Sequence, residues 1–238
     1  MGVNSKYVNG NLVFVDSANK QRWLDAIGPH VCKFIEDFVG TPFASADNPA
    51  AWTVTLVEGG AGETTIALAG SATGGALLIT SDANDNDGAN MQLQGEAFKL
   101  ASGKPLYFGA KFQMSEATQS DFFVGLAITD TDILGGVTDS IGFKKVDAST
   151  TIQFELNKNN TATAGNVGTL AAATNVTLEF LFDGTNVDCY VNGALQTRLA
   201  MTNLPDDEDL TPTIQFLSGA AGAKTMTVDW IRCIQINS

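Results

Sequence analysis

The sequence predicts an all-β protein, an antiparallel two-sheet sandwich or jelly roll. Three observations carry that reading. From residue 50 onward apolar residues recur at every second position, the period of a strand with one buried face. Turn-forming clusters punctuate those runs at short intervals. Charged residues are only 16 % of the 238, against roughly 25 % in an average globular protein, while glycine is abundant at 24.

Trp52, Val54 and Leu56 alternate with Thr53, Thr55 and Val57, and Ile66 and Leu68 form a second short face. Phe122, Val124, Leu126 and Ile128 line a third, and Ile152, Phe154 and Leu156 a fourth. Val176, Leu178, Phe180 and Phe182 follow, and Met226, Val228, Trp230, Ile234 and Ile236 line the last strand. Turn clusters at 58–62, 71–75 and 84–88 separate the early runs. Asp183-Gly184 and Asn192-Gly193 set three consecutive late strands by local chemistry, because Asn-Gly supplies the two positive φ angles of a type I′ hairpin turn.

The first 44 residues read differently. Tyr7, Val8 and Leu12 to Val15 form an apolar extended arm broken by Asn9-Gly10, expected to pair at a sheet edge or dock on another subunit. Val31, Phe34, Ile35 and Phe38 follow i, i+3, i+4, i+7 spacing, with Pro29 suited to a first helical turn and Gly40 to a stop, which predicts one short helix. The expected organisation is an arm and helix over 1–44, serving oligomer docking, and a sandwich over 45–238.

Composition excludes several functions. A hydrophobic fraction of 44 % is enough for a real core, and a net charge of −13 excludes duplex-phosphate binding as the main activity, so no nucleic-acid partner is expected. No apolar run is long enough for a membrane span, and the opening residues carry neither a secretory h-region nor a myristoylation Ser/Thr at position 6, which is Lys6. Cys32, Cys189 and Cys233 are widely spaced and odd in number, as expected of free thiols made in a reducing cytoplasm.

Two stretches carry a resemblance. Leu178–Leu199, reading LEFLFDGTNVDCYVNGALQTRL, and Met226–Ile236, reading MTVDWIRCIQI, resemble the late hairpin and final strand of concanavalin A-like sandwiches, the laminin-G and lectin/glucanase group. That implies a concanavalin A-like jelly roll, a fold that hosts lectins, hydrolases and structural modules alike. Over most of its length the chain resembles virion proteins of tailed bacteriophages, through NGNLVFVDSANKQRWLDAIGP, NDGANMQLQGEAFKLASGKPLYFGAKF, ATQSDFFVGLAITDTD and NLPDDEDLTPTIQFLSGAAGAKTMTVDWIR. This implies a capsid decoration protein on the virion surface, with residues 1–44 docking on the capsid. Its partners would be the major capsid protein and further copies of itself, with a trimer as the expected oligomer and a host surface glycan as an alternative partner.

Glycoside hydrolysis needs two carboxyl groups, one to protonate the leaving oxygen and one to attack or activate water. The related glucanases carry Glu-x-Asp-x-x-Glu on one strand, and no such spacing occurs here; Glu36-Asp37 falls on the expected helix and Asp206 to Asp209 in a loop. The run Ser81 to Gly88, with Asp82, Asp85 and Asp87, is rich in oxygen ligands, but EF-hand alignment puts Ala83 and Gln94 at its first and twelfth positions, so an Asx-rich turn is preferred and another calcium loop stays open. Asp130, Asp132 and Asp139 carry the same ambiguity. His30, the only histidine, lies near Cys32 without a second base-like partner. Among aromatics that could stack on a sugar, Trp52 and Trp230 read as core, Trp23 as packing beneath the helix, and Tyr107 and Tyr190 as platforms on the opposite faces. No catalytic, cofactor or metal residue is assigned, and the chain is expected to be a structural protein rather than an enzyme. The alternative is a glycan-binding module of a head fibre or tail adhesin.

Overall fold

The computed structural model describes residues 3–70, 72–199 and 201–237. It opens on a hairpin of β1 (Val3–Val8) and β2 (Asn11–Asp16), followed by β3 (Trp23–Ile27) and β4 (Val31–Glu36). Next come the short pair β5 (Phe43–Ser45) and β6 (Asn48–Pro49), then β7 (Trp52–Val57), β8 (Thr65–Leu68), β9 (Leu77–Thr80) and β10 (Gly88–Leu93). β11 (Leu106–Met114) and β12 (Ser120–Ala127) precede the single-turn helix α1 (Ile133–Gly136). β13 (Ser140–Lys145), β14 (Thr151–Lys158) and β15 (Thr161–Thr169) form a meander. β16 (Val176–Phe182), β17 (Val187–Val191) and β18 (Ala194–Leu199) form a second, and β19 (Thr211–Ser218) and β20 (Thr225–Ile236) close the chain.

Two antiparallel sheets face each other. One runs β15-β14-β13-β12-β19-β10-β7, and the other β18-β17-β16-β11-β20-β9-β8. The alternation read from the sequence fills the space between them. Phe122, Val124, Phe143, Phe154, Ile214 and Phe216 from the first sheet meet Phe108, Phe112, Leu178, Phe180, Met226 and Val228 from the second, all buried in one core. The all-β jelly-roll sandwich is therefore the observed architecture. Asn192 (φ 50°) and Gly193 (φ 78°) both lie in the left-handed region, so the expected type I′ turn joins β17 to β18.

The segment expected to be a helix is a strand. Val31–Glu36 pairs antiparallel with Ile231–Ile236 of β20, while β9 pairs with Thr225–Val228 of the same strand. β4 and β9 thus lie end to end along one side of β20. The apolar spacing that suggested a helix is satisfied by extended backbone, since Val, Phe and Ile are good strand residues. Phe34 reaches the core edge-on to Trp52, with ring centroids 5.5 Å apart. The one α-helix among the described residues is α1, a hundred residues further on.

The N-terminal arm is also more than an arm. β1, β2 and β3 form their own antiparallel sheet. Its inner face, Val13, Val15, Trp23 and Ala26, packs on the outer face of the eight-stranded sheet at Tyr107, Leu181, Tyr190, Ile234 and Ile236. This third layer corrects two sequence expectations, and a bulge in β20 corrects a third. Trp23 belongs to a strand and stacks on Tyr107 at 6.4 Å rather than lying beneath a helix. Tyr107 and Tyr190 do face away from the main core, but at 1 % and 6 % exposure they are covered and offer no sugar platform. Trp230 is half-buried on the outer face, against Arg232 at 4.7 Å, because a bulge opposite Lys111/Phe112 shifts β20 by one residue between Val228 and Trp230.

A buried polar cluster holds this layer. Glu179 Oε1 accepts hydrogen bonds from Tyr107 Oη at 2.6 Å and Arg22 Nε at 2.5 Å. Burial, followed by the charge of Glu179, pushes the Tyr107 phenol well above its ordinary range. The cysteines are free. Cys189 and Cys233 are fully buried, and burial pushes the Cys189 thiol up to about 11. Only Cys32 retains partial access.

Two outcomes follow from this packing. Trp23→Ala should lower unfolding stability by about 3–5 kcal/mol, the usual cost of deleting a buried aromatic, as read from a urea titration; a loss within 0.5 kcal/mol, the scale of ordinary surface substitutions, would mean that the third layer does not support the fold. Alkylation near neutral pH followed by intact-mass measurement should add one group to the native chain, at Cys32, and three to the unfolded chain.

Candidate functional site

The outer face of the seven-stranded sheet is the surface of this molecule where polar side chains converge on regular backbone. Cross-strand register defines its rows. One runs Gln153, Lys144, Phe123, Gln215, Asn90 and Thr55 from β14 to β7, and the next runs Glu155, Gly142, Gly125, Thr213, Gln92 and Thr53. Asn157, Ser140, Ala127 and Thr211 form a third, shorter row. Gly125 and Gly142 oppose each other mid-sheet. A Cβ at Gly142 would come within 2.9 Å of the Phe123 ring, so the bare backbone leaves room for that ring.

This face is covered by the chain's own segment 128–139. Four side-chain amides on the strands hold it. Gln92 accepts from Asp130 N at 2.9 Å and donates to Ile128 O at 2.9 Å. Asn90 donates to Asp130 O at 2.7 Å, and Asn157 to Val137 O at 2.7 Å. Gln215 accepts from Leu134 N at 2.8 Å and donates to Asp132 Oδ1 at 2.9 Å. Asp132 also caps α1 by accepting from Gly135 N. Ile133 and Val137 then pack on Phe123 and Ala127 as a small apolar cluster. An amide donates and accepts at once, so Gln92 satisfies both a loop N–H and a loop C=O that strand pairing leaves free, while Asn90 and Asn157 each satisfy a C=O and Gln215 an N–H and a carboxylate.

Two recesses flank the loop. One encloses about 110 Å³ beside Phe123, Val137, Ser140, Lys144, Glu155 and Asn157, with Lys144 and Glu155 ion-paired in its lining. It falls below the roughly 300–1,000 Å³ of ordinary ligand pockets. The other, about 290 Å³, is lined by Asp121, Asp132, Asp147, Leu134 and Leu217. Asp121 accepts a hydrogen bond from Asp147 N, and burial is the main cause of its carboxyl lying above the usual range. Next to it the buried ammonium of Lys145 donates to the carbonyls of Ser120, Val146 and Ser149. Sequence reading did not single out Asp121, Lys145 or the four amides. Their signal was polar side chains at alternate positions of strands whose other face is core.

The residues that had been singled out are dispersed. Asp87 spends its carboxylate on the backbone N–H groups of Gly59 and Asn84, which makes its loop an Asx-stabilised turn. Glu36 accepts from Phe38 N and Thr41 Oγ1, and Asp37 lies 3.5 Å from Arg232. Asp206 and Asp207 pair with Lys158 at the surface. His30 is exposed, with its backbone tied to Asn11 and Asn237. Asp139 accepts from Asn159 N. Among the described residues no group of three or more His, Cys, Asp or Glu could hold a metal ion, and no strand of the seven-stranded outer face presents two carboxylates.

No protein-family model matches the chain, and no curated protein matches it. Solved structures do. An endo-1,3-β-glucanase from Streptomyces sioyaensis superposes with a TM-score of 0.60 at 13 % identity, over 90 % of this chain and 99 % of that one. A non-specific endo-β-1,3(4)-glucanase of family GH16 gives 0.61 at 14 %, over 90 % and 94 %. The Bacillus licheniformis β-glucanase gives 0.57 at 14 %, over 87 % and 98 %. The concanavalin A-like jelly roll of these glucanases is the fold of this chain. The expectation that the chain is not an enzyme is corrected by the same neighbours, because the fold they share with it is that of working endo-glucanases.

The loop contacts can be checked directly. Asn157→Leu should leave Val137 O without its partner and cost about 1–3 kcal/mol. Amide exchange should accelerate within 128–139 and stay unchanged in β16 and β17. Uniform acceleration across the chain would show that the loop is not held as a separate unit.

Proposed function

We propose that the chain is a structural subunit of a tailed-bacteriophage virion, a decoration protein that stabilises the head shell by adhesion. The observation that supports this best is the closed polar face. The surface of the jelly roll where amides and carboxylates converge is occupied by the chain's own loop, leaving outer surfaces as the means of contact. The outward face of the N-terminal sheet presents Tyr7, Leu12, Phe14 and Ile27, with Tyr7 and Ile27 mostly exposed. β15, TATAGNVGT, adds an uncharged strand of small side chains. The four long sequence runs that resemble tailed-phage virion proteins point the same way. A subunit that binds only the assembled shell stabilises it by mass action, and a net charge of −13 keeps decorated particles apart.

A second reading is a glycan-binding module of a head fibre or tail adhesin. What favours it is the fold held in common with the glucanases.

Quantitative mass spectrometry of purified particles distinguishes the two. A decoration protein is expected in tens to hundreds of copies, an adhesin in a handful. Tyr7→Asp combined with Ile27→Asp should abolish binding to undecorated shells while leaving the melting curve of the free protein in place. Undiminished shell binding would remove this surface from the proposal, and cleavage of a β-glucan by the pure protein would overturn both readings.

A further inference from the structure

We infer that two copies of this chain pair through β1, edge to edge, in a symmetric antiparallel dimer centred on Ser5; the inference does not rest on the virion reading. β1 is the outer strand of the N-terminal sheet and, among the described residues, has a partner on one side only. The hairpin fixes which of its backbone groups are free. Asn9 (φ 46°) and Gly10 (φ 76°) make a two-residue type I′ turn, so Val8 and Asn11 form the closing hydrogen-bonded pair. Counting back by twos, Val8, Lys6 and Asn4 bond to β2. The N–H and C=O groups of Val3, Ser5 and Tyr7 point away from the sheet.

Open edges in stable proteins are blunted by charge, proline, bulges or a covering segment, and other edges here follow that rule. On β8, Ile66 N is taken by the Asp47 carboxylate. β18 carries Arg198, and the β17–β18 and β14–β15 pairings carry bulges. β1 has neither proline nor bulge. Its one charge, Lys6, turns under the sheet, donating to Lys20 O and lying 5.7 Å from the Trp23 ring. Among the described residues the edge therefore lacks the device that would keep a second strand away.

The residues of β1 fit a copy of themselves. With Ser5 on a two-fold axis, Ser5 faces Ser5 of the other copy, and Val3 faces its Tyr7 twice over. These are the residues whose backbone groups are free, so the register gives six main-chain hydrogen bonds. Val3 and Tyr7, 62 % and 77 % exposed, then form apolar cross-strand pairs on one face. On the other face Asn4 falls opposite Lys6, so the two lysines do not meet. The result is a continuous six-stranded sheet. Its contact area is small, so a weak dimer with a dissociation constant of micromolar order or above is expected.

Sedimentation equilibrium of the full chain tests this. The wild type should pass from monomer to dimer and stop there. A monomer still at about 1 mM, or growth into longer filaments, would overturn the inference. Ser5→Pro removes an N–H that β2 does not use and should weaken dimerisation about tenfold or more, with the melting curve retained. In Ser5→Cys the axial Cα atoms lie about 5.5 Å apart, within disulfide reach, so mild oxidation should give a covalent dimer far faster than in Asn4→Cys. Equal cross-linking of the two cysteine variants would overturn the register, and unchanged dimerisation of Ser5→Pro would overturn the use of this edge.

Discussion

The constraint on which this structure depends is that the eight-stranded sheet is apolar on both faces. One face closes the sandwich through Phe108, Phe112 and Phe180, and the other carries Tyr107, Leu181, Ile234 and Ile236. An antiparallel sheet commonly leaves one face to water. Here that would expose a contiguous apolar patch, so a third layer is required, and the N-terminal sheet supplies it. The one-residue bulge in β20 makes this possible. Before it, Met226 and Val228 point into the sandwich. After it, Ile231 and Cys233 do so while Trp230, Ile234 and Ile236 face outward.

The other sheet solves a different problem with different chemistry. Its outer face is polar, and its cover is a loop rather than a sheet. A loop brings unpaired backbone groups, which cost free energy when shielded from water. Asn90, Gln92, Asn157 and Gln215 meet that demand from fixed positions on strands. Apolar burial thus attaches the N-terminal layer, and amide hydrogen bonds attach the loop. The first contact is broad and tolerant of angle. The second is directional, so it specifies where each loop residue sits.

Much of the sandwich was legible because its strands obey a local rule. Alternation at Phe122–Leu126, Ile152–Leu156 and Val176–Phe182 survives in the structure, and the Asn192-Gly193 turn needs no tertiary information. The misreadings arise where a distant partner decides. Val31, Phe34, Ile35 and Phe38 are spaced as a helix would require, and only the vacant side of β20 from Ile231 to Ile236 makes the first three part of a strand, with Phe38 beyond its end. Trp230 was assigned the wrong face because a single bulge reverses every side chain beyond it. The outward direction of Tyr107 and Tyr190 could be read from alternation, but a covering layer two hundred residues from the C-terminal strand it packs on could not. The amides of the candidate site were visible as letters and not as a site, since their function is set by a loop whose path the strand pattern does not encode.

The buried polar cluster beneath the third layer shows how that layer gains a fixed register. Apolar packing alone would let a three-stranded sheet slide on Tyr107 and Ile234 at little cost. Glu179 cannot slide with it. Its side chain is almost fully buried, and Oε1 is held by both Tyr107 and Arg22, so removing Arg22 from its place leaves a carboxylate in an apolar environment. Breaking one partner of such a buried pair costs far more than the pair contributes over two neutral groups. The cluster therefore acts against misplaced arrangements more than it adds to the stability of the correct one. Arg22 sits in the connection between β2 and β3, so fixing it sets the position of both strands, and with them the hairpin that carries β1.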